Sequence, residues 1–438
     1  MTDQFKSYLA IKFCLLSVLA GVLTSHPAAG QERKVILTRN GAISIALRNN
    51  LELKVAALEI DRAKSRLRWS GRLSNPDIEI STSTDVIGLN DKEGEFELAF
   101  SQRFPVTSRL RDEKVVRQRD VELAEIEFRS RQRQLAFEVD KAWITQRAAS
   151  RSETATSRLL GLNKEISEFL SGRAKVGEAS SLDVVQASLN GKLLEQELGL
   201  TRAAVSDASA RLNHLMGAEP KNSLNIETGA SLPKSAPPSS MKLEQVLSNR
   251  PDYALLLASK NLGDAQLDLA MAQRWDDIAV KVFVQRERAV DEPDGLERNT
   301  FTGVGISIPL PLRNKNEQAI EEAQIEIEKA KRARSAKMFA IHSELRRALE
   351  ARLAAYKLAK SSQSEALPLA QKNLDEFKKA QQEGKANLLQ VQQAQSQLLQ
   401  LENAALDLQK NYDLLDAEVR FIAGSYPIPK PSTHKASK

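Results

Sequence analysis

Residues 278–309 read IAVKVFVQRERAVDEPDGLERNTFTGVGISIP, and the alternation within them decides what kind of protein this is. Ile278, Val280, Val282 and Val284 occupy every second position; after a polar, acidic loop from Glu287 to Asn299, the residues Thr300, Thr302, Val304, Ile306 and Ile308 form a partner run. A period of two puts one face of a strand in an apolar medium and the other in water. Strands of about nine to ten residues have the length a tilted strand needs to cross a bilayer. A soluble edge hairpin has the same periodicity, so the rest of the chain must discriminate.

The same pattern occurs earlier. Ile78, Ile80, Thr82, Thr84 and Val86 alternate with more polar neighbours, and after a loop from Ile87 to Gly94, Phe96, Leu98 and Phe100 alternate with Glu95, Glu97 and Ala99. The two hairpins, 77–104 and 278–308, belong to a chain that is written twice. Gly177 is followed 40 residues later by Gly217, Gly384 is followed 40 residues later by Gly424, and both pairs differ by 207 residues. Phe104 and Pro105 answer to Ile308 and Pro309, and Asn75 to Ile78 answer to Trp275 to Ile278. A period near 200 is too long for a solenoid, so the reading is two copies of a complete module. They span 31–217 and 242–424. A proline-rich linker, 218–241, joins them, and a tail at 425–438 with Pro427, Pro429 and Pro431 is expected to be disordered.

Each hairpin precedes a helical stretch. No proline occurs between Pro105 and Pro220, as uninterrupted helix requires, because proline removes a backbone donor and clashes with the preceding turn. Helices are predicted near 107–173 and 181–215 around a turn at Gly177, and near 313–381 and 388–422 around Gly384, giving long helical hairpins at 107–215 and 313–422. Pro368 falls opposite Gly161 under the 207-residue shift, which predicts a kink at the same height in both copies. Val391, Leu398, Ala405, Tyr412 and Val419 recur every seven residues beside Ala394, Leu401, Leu408, Leu415 and Ile422. This is a coiled-coil seam. The shifted positions Val184, Gly191, Leu198, Val205 and Leu212, with Ala187, Leu194, Thr201, Ala208 and Leu215, are mostly apolar too. Val116, Leu123, Phe137 and Ile144 make a narrow stripe on the first long helix, which suits a thin wall of laterally packed helices.

Four strands cannot close a barrel in lipid, where every strand edge must be paired. If the hairpins span a membrane, subunits must share one barrel. The N-terminus agrees with export: Lys6 and Lys12, an apolar run from Phe13 to Leu23, then Pro27 and the small residues Ala28, Ala29 and Gly30 read as a signal peptide over 1–30. The alternative is an N-terminal membrane anchor. The one cysteine, Cys14, lies inside that segment, and the bulky or charged Ile11, Lys12 and Phe13 before it do not form a lipoprotein box. With 27% charged, 5% aromatic and 42% hydrophobic residues, the composition is that of long helices. The formal charge of +6 is read as interspersed solvating charge, with no nucleic acid as partner.

In this ordered, duplicated set of features the chain resembles the TolC-like outer-membrane efflux proteins, the exit ducts of tripartite pumps. The resemblance rests on the opening helix from Ala42 to Asn50 followed by Leu51, Glu52 and Leu53, the strand start at Asn75 and Pro76, the Asn249-Arg250-Pro251-Asp252 entry to the second copy, the Phe104-Pro105 and Ile308-Pro309 junctions, and the tips at Gly177 and Gly384. It implies a mainly α protein with a small membrane β part, assembled as a homotrimer with a shared twelve-stranded barrel in the outer-membrane lipid and a helical barrel in the periplasm. It implies as partners a periplasmic adaptor protein and an inner-membrane pump, and the opening helix looks most like the heavy-metal and cation branch. The tips, which in the family meet the adaptor and close the tunnel, correspond to Val176, Gly177, Ser181, Leu182, Asp183 and Val184, and to Glu383, Gly384, Leu388, Leu389, Gln390, Val391 and Gln393. Drug-exporting members often carry acids at the gate where Gln390 and Gln393 stand here, a departure that removes those two carboxylates.

No chemistry is otherwise visible. His214, His342 and His434 have no helical ligand spacing and there is no glycine-rich phosphate loop, so no enzyme activity, cofactor or metal site is expected. His214 reads as a helix-end residue, and Trp69, Trp143 and Trp275 as packing or interfacial residues. Two other readings remain: a periplasmic adaptor, which normally has one helical hairpin rather than two, and a coiled-coil scaffold, which leaves the alternating strands unexplained.

Overall fold

The computed structural model of the chain describes residues 36–84, 93–177, 180–229, 232–291, 293 and 295–428. The signal segment with Cys14, most of the 87–94 loop, and the tail from 429 with His434 lie outside the described residues. In chain order the elements are α1 (Arg39–Asn49), α2 (Leu51–Trp69), β1 (Asp77–Ser83), β2 (Gly94–Phe104), α3 (Arg109–Lys175), α4 (Ser181–Met216), α5 (Leu243–Ser248), α6 (Pro251–Ala272), β3 (Ile278–Asp291), β4 (Gly295–Ser307), α7 (Glu317–Ser361), a π-helical turn (Ser362–Ala366), α8 (Leu367–Gln382) and α9 (Leu388–Ile422). Among the described residues no helix is long and apolar enough to cross a membrane.

The helices dominate. The 67 residues of α3 extend about 100 Å at 1.5 Å per residue. It packs on α4, α6 and α9, while α7 and α8 pack on α9, so the two copies interleave. Val391, Leu398, Ala405, Tyr412 and Val419 are all buried. The parallel stripe drifts: Leu401 is exposed, and Gln395, Gln409 and Ala417 are buried. A straight helix advances 3.6 rather than 3.5 residues per turn, so a stripe facing two neighbours cannot hold one heptad register throughout.

The duplication is visible in matching turns. Gly217 and Gly424, at φ 68° and 67°, end α4 and α9 in the left-handed conformation that glycine alone adopts without strain. Each lies against an equivalent backbone, since a Cβ on Gly217 would meet the Asn49 carbonyl oxygen at 2.8 Å and one on Gly424 would meet that of Asn249 at 2.6 Å. The next residue caps the same helix end in each copy: Asn50 Nδ2 donates to the Leu215 carbonyl at 3.0 Å, and Arg250 Nη1 to that of Ile422 at 3.3 Å.

Three expectations need correction. A break in the α-helix is present only in the second copy. Pro368 has no N–H for the carbonyl four residues earlier, and a π-helical turn at Ser362–Ala366 absorbs the defect, whereas Gly161 keeps its N–H and α3 runs through it unbroken. The 287–299 loop is mostly strand: β3 continues to Asp291 and β4 starts at Gly295, whose φ of 89° closes a tight turn. The tail does not begin at 425, because Tyr426 is 6% exposed and its hydroxyl donates to Asp140 at 2.6 Å.

Candidate functional site: sheet faces and helical tips

The four strands form one antiparallel sheet in the order β1-β2-β3-β4. The pairing of β2 with β3, with Phe100 opposite Val282 and Leu98 opposite Val284, joins the two hairpins although two long helices separate them in sequence. Because side chains alternate across a strand, the register sorts every residue to a face. One face carries the rows Ile78-Phe100-Val282-Val304, Ile80-Leu98-Val284-Thr302 and Gln102-Val280-Ile306, with Phe104, Ile278 and Ile308 at its helix-side end. Most of these apolar side chains are exposed, Val304 at 69%, while Ile278 and Val280 are half-buried. Rows on the opposite face read Asp77-Ser101-Lys281-Gly305, Ser81-Glu97-Gln285-Phe301 and Ser83-Glu95-Glu287-Asn299. On that face Lys281 pairs with Glu97 and, at 3.6 Å, with Glu79. Among the described residues the outer edges of β1 and β4 have no strand beside them.

At the sheet's base, Arg109 at the start of α3 makes a bidentate pair with Asp277 at 3.1 and 2.6 Å, tying the first copy's long helix to the second copy's strand. Trp69 and Trp275 are exposed at 60% and 45% near the helix-to-strand passages, while Trp143 is buried and donates to the Leu37 carbonyl at 3.1 Å.

At the far end lie the tips. Gly177 and Gly384 both have positive φ, 76° and 75°, and a Cβ on either would meet nothing within 4 Å. Val176 and Leu182 are the most exposed large hydrophobic residues of the tips, at 70% and 71%. Ser181 begins α4, and Asp183 sits in its first turn, where a carboxylate complements the helix dipole. In the second tip Leu389 and Gln393 are exposed. Leu388 is not; it packs with Leu170 of α3 and Ala187 of α4, which holds the two tips together. Gln390 is engaged in a capping box, accepting from the Asn387 N–H at 3.0 Å while Asn387 accepts from its own N–H. Sequence reading missed Leu170 and Ala187, although Ala187 belongs to the seam. It also missed buried Asn163, whose amide donates to the Ala187 carbonyl at 3.0 Å and accepts from Asn190 at 2.9 Å. That clamp explains the glycine at the apolar seam position 191, since a Cβ on Gly191 would lie 2.9 Å from Asn163 Nδ2.

Between sheet and tips the copies are locked by buried charge. Asp140 on α3 is fully buried, held by Arg39 at the start of α1 and by Tyr426 after α9; burial and the neighbouring carboxylate raise the Tyr426 hydroxyl far above its ordinary value. Tyr412, whose ring lies tilted against that of Tyr356, is pushed up to about 12 by burial and by Asp416. Asp252, in the first turn of α6, receives Arg250 at 3.0 and 2.6 Å, Arg133 at 3.1 Å and Lys337 at 3.2 Å. Burial opposes its ionisation, but the Arg250 hydrogen bonds and the charges of Arg133 and Arg250 outweigh it and hold the carboxyl well below the usual range. Further towards the tips Arg147 pairs with Asp413, Arg151 donates to Gln409 at 2.8 Å and Arg158 pairs with Glu402.

An open sheet with one greasy and one polar face, joined to a sleeve of long helices, defines a membrane-channel class of architecture. The family model for outer membrane efflux proteins matches residues 42–218 and 243–425. The chain belongs to that family, whose members are outer-membrane efflux channels. Its fold is similar to that of the transmembrane channel CusC (19% identity, TM-score 0.70, covering 92% of this chain and 95% of that one). It is also similar to the CmeC outer membrane channel of Campylobacter jejuni (16%, 0.68, 88% and 85%). The MtrE outer membrane channel of Neisseria gonorrhoeae, in its open state, is a third likeness (16%, 0.67, 88% and 88%). No curated protein sequence matches the chain.

Proposed function

We propose that three copies of this chain close their sheets into one twelve-stranded barrel in the outer membrane, continued by a helical barrel through the periplasm. The duct conducts substrate passively, while an inner-membrane pump supplies energy and a periplasmic adaptor engages the helical tips. The observation that carries this reading is the pair of unpartnered edges on a sheet whose exposed face is apolar. In lipid each unsatisfied backbone group costs several kcal/mol, so β1 of one copy must meet β4 of another. Two copies would give eight strands, an interior that side chains fill; twelve leave a lumen, and the polar face with Gly303 and Gly305 suits its lining. A cysteine panel tests this. Ile78, Ile80 or Thr82 is paired with Thr302, Val304 or Ile306, in a chain whose one native cysteine lies in the predicted signal. At least one pair is expected to yield crosslinked trimers on denaturing gels; monomers throughout would overturn the barrel.

The tips carry the second part. Val176, Gly177, Ser181, Leu182 and Asp183 in one tip, with Gly384, Leu388, Leu389, Gln390 and Gln393 in the other, form the adaptor and gating end, in which Leu388 and Gln390 hold the shape and the exposed residues make contact. Charge reversal, Asp183→Lys, reverses a dipole interaction of about 0.3–1 kcal/mol, which long helices tolerate. Crosslinking to the adaptor is expected to fall about three- to tenfold, as for a charge at an interface rim, or closed-state conductance to change. Unchanged export and unchanged conductance would remove Asp183 from this role.

A further inference from the structure

On the apolar face of the sheet the only charged side chains in the four strands are three arginines, and all three lie at one end. Arg286 and Arg288 on β3 continue the outward series of Val280, Val282 and Val284, and Arg298 on β4 stands directly across the ladder from Arg288. Arg286 shares its row with Phe96, Thr82 and Thr300, one row beyond Ile80-Leu98-Val284-Thr302. All three are exposed, and none forms an ion pair among the described residues. The carboxylates at the same height, Glu95, Glu287 and Glu297, are on the opposite face by strand parity. Like charges directly opposed on neighbouring strands destabilise a sheet. Among the described residues no carboxylate neutralises them, so the arrangement is open to an anion from outside the chain.

We propose that Arg286, Arg288 and Arg298 form a docking surface for the phosphorylated glycolipid headgroups of the outer leaflet. The inference rests on the barrel reading, which turns this face to lipid. Its position argues for lipid rather than a soluble protein: the arginines border the apolar band at the end remote from the helices, with only the pair Val290-Leu296 beyond them on this face, at the level where headgroups lie. The helix-side end of the same face has Gln102, Phe104, Ile278 and Ile308 and no cation, so anion recognition is confined to one leaflet. Arginine matches the ligand because its planar fork takes two phosphate oxygens at once and is weakly hydrated. A trimer would present the cluster three times around its girdle.

The test uses the full-length protein purified in detergent, incubated with bis-phosphorylated lipid A, with dephosphorylated lipid A, or with phosphatidylglycerol, and read by native mass spectrometry. The wild type is expected to retain bis-phosphorylated lipid A at least tenfold better than the Arg286→Gln/Arg288→Gln/Arg298→Gln variant, and better than either other lipid. Equal retention by the variant overturns the proposal, and equal retention of phosphatidylglycerol overturns the assignment to glycolipid. Should the triple variant not assemble, Arg298→Gln, which removes only one member of the opposed pair, is read by the same criteria with a threefold expected loss. Heat-modifiable trimer and bilayer conductance are measured on the same samples. Their loss in the wild type would count against the barrel, whereas an intact conducting trimer without phosphate-dependent retention sinks the docking surface alone.

Discussion

Replacing Val282 with arginine is expected to abolish recovery of assembled protein from the outer membrane. Val282 lies in the central row Ile78-Phe100-Val282-Val304 of the apolar face and is 52% exposed in the isolated chain. An arginine on the lipid side near the bilayer midplane costs about 2–4 kcal/mol in a transmembrane barrel, and a trimer carries the change three times, about 6–12 kcal/mol in all. The control is three residues along the same strand: Gln285, on the opposite face, becomes arginine in a wet lumen and is expected to leave assembly intact. The measurement is the fraction of heat-modifiable trimer in outer-membrane extracts. Equal assembly of the two variants would mean that the apolar face does not meet lipid.

The same alternation shows how far sequence reaches. Ile278 to Val284 announce β3, and its even positions continue through Arg286, Arg288 and Val290, yet the sequence from 287 reads as a loop because charged residues resemble one when the medium is unknown. A barrel strand outlasts the hydrocarbon and keeps its period while its outward residues turn from valine to arginine. The long helices were legible for a different reason. A stretch with no proline up to Gly217, and a second with Pro368 alone inside it up to Gly424, contain both the propagation and the stop signal. The interlocking of the copies was not legible. Arg133 and Asp252 are 119 positions apart on unrelated stretches, and nothing in their local sequence distinguishes them from the many solvated charges of helical faces. The tips were legible as turns, through Gly177 and Gly384, but the roles of individual residues were not. Leu388 and Leu389 are neighbours of one type, and only packing against Leu170 and Ala187 separates the buried one from the exposed one.

Asp252→Asn is expected to be the most destabilising polar substitution in the helical body. Arg133 and Arg250 are each 3% exposed and come from the two different copies, and Lys337 on α7 completes the set. Arg133 already has two nitrogens without hydrogen-bond partners and rests on the Phe421 ring at 4.5 Å. Neutralising the carboxylate that Arg133, Arg250 and Lys337 share leaves buried like charges facing each other, for which the loss of one partner costs about 3–5 kcal/mol; Asp252 retains some solvent contact and Glu344 stands 3.9 Å from Arg250, which favours the lower figure. The pH dependence follows from the depressed carboxyl. Asp252 ionises more readily folded than unfolded, so its contribution is fully present above the unfolded value of about 3.9 and is lost as pH falls below that towards the lower folded value. Thermal melts of the wild type are therefore expected to steepen in their pH dependence below about pH 4, and the asparagine variant to lack that component while melting lower at neutral pH. A double variant with Arg133→Met removes one of the stranded cations and is expected to recover part of the loss, a coupling measurable as a double-mutant cycle. Additive losses would show that Arg133 and Asp252 do not act as one unit and that the two copies are locked elsewhere.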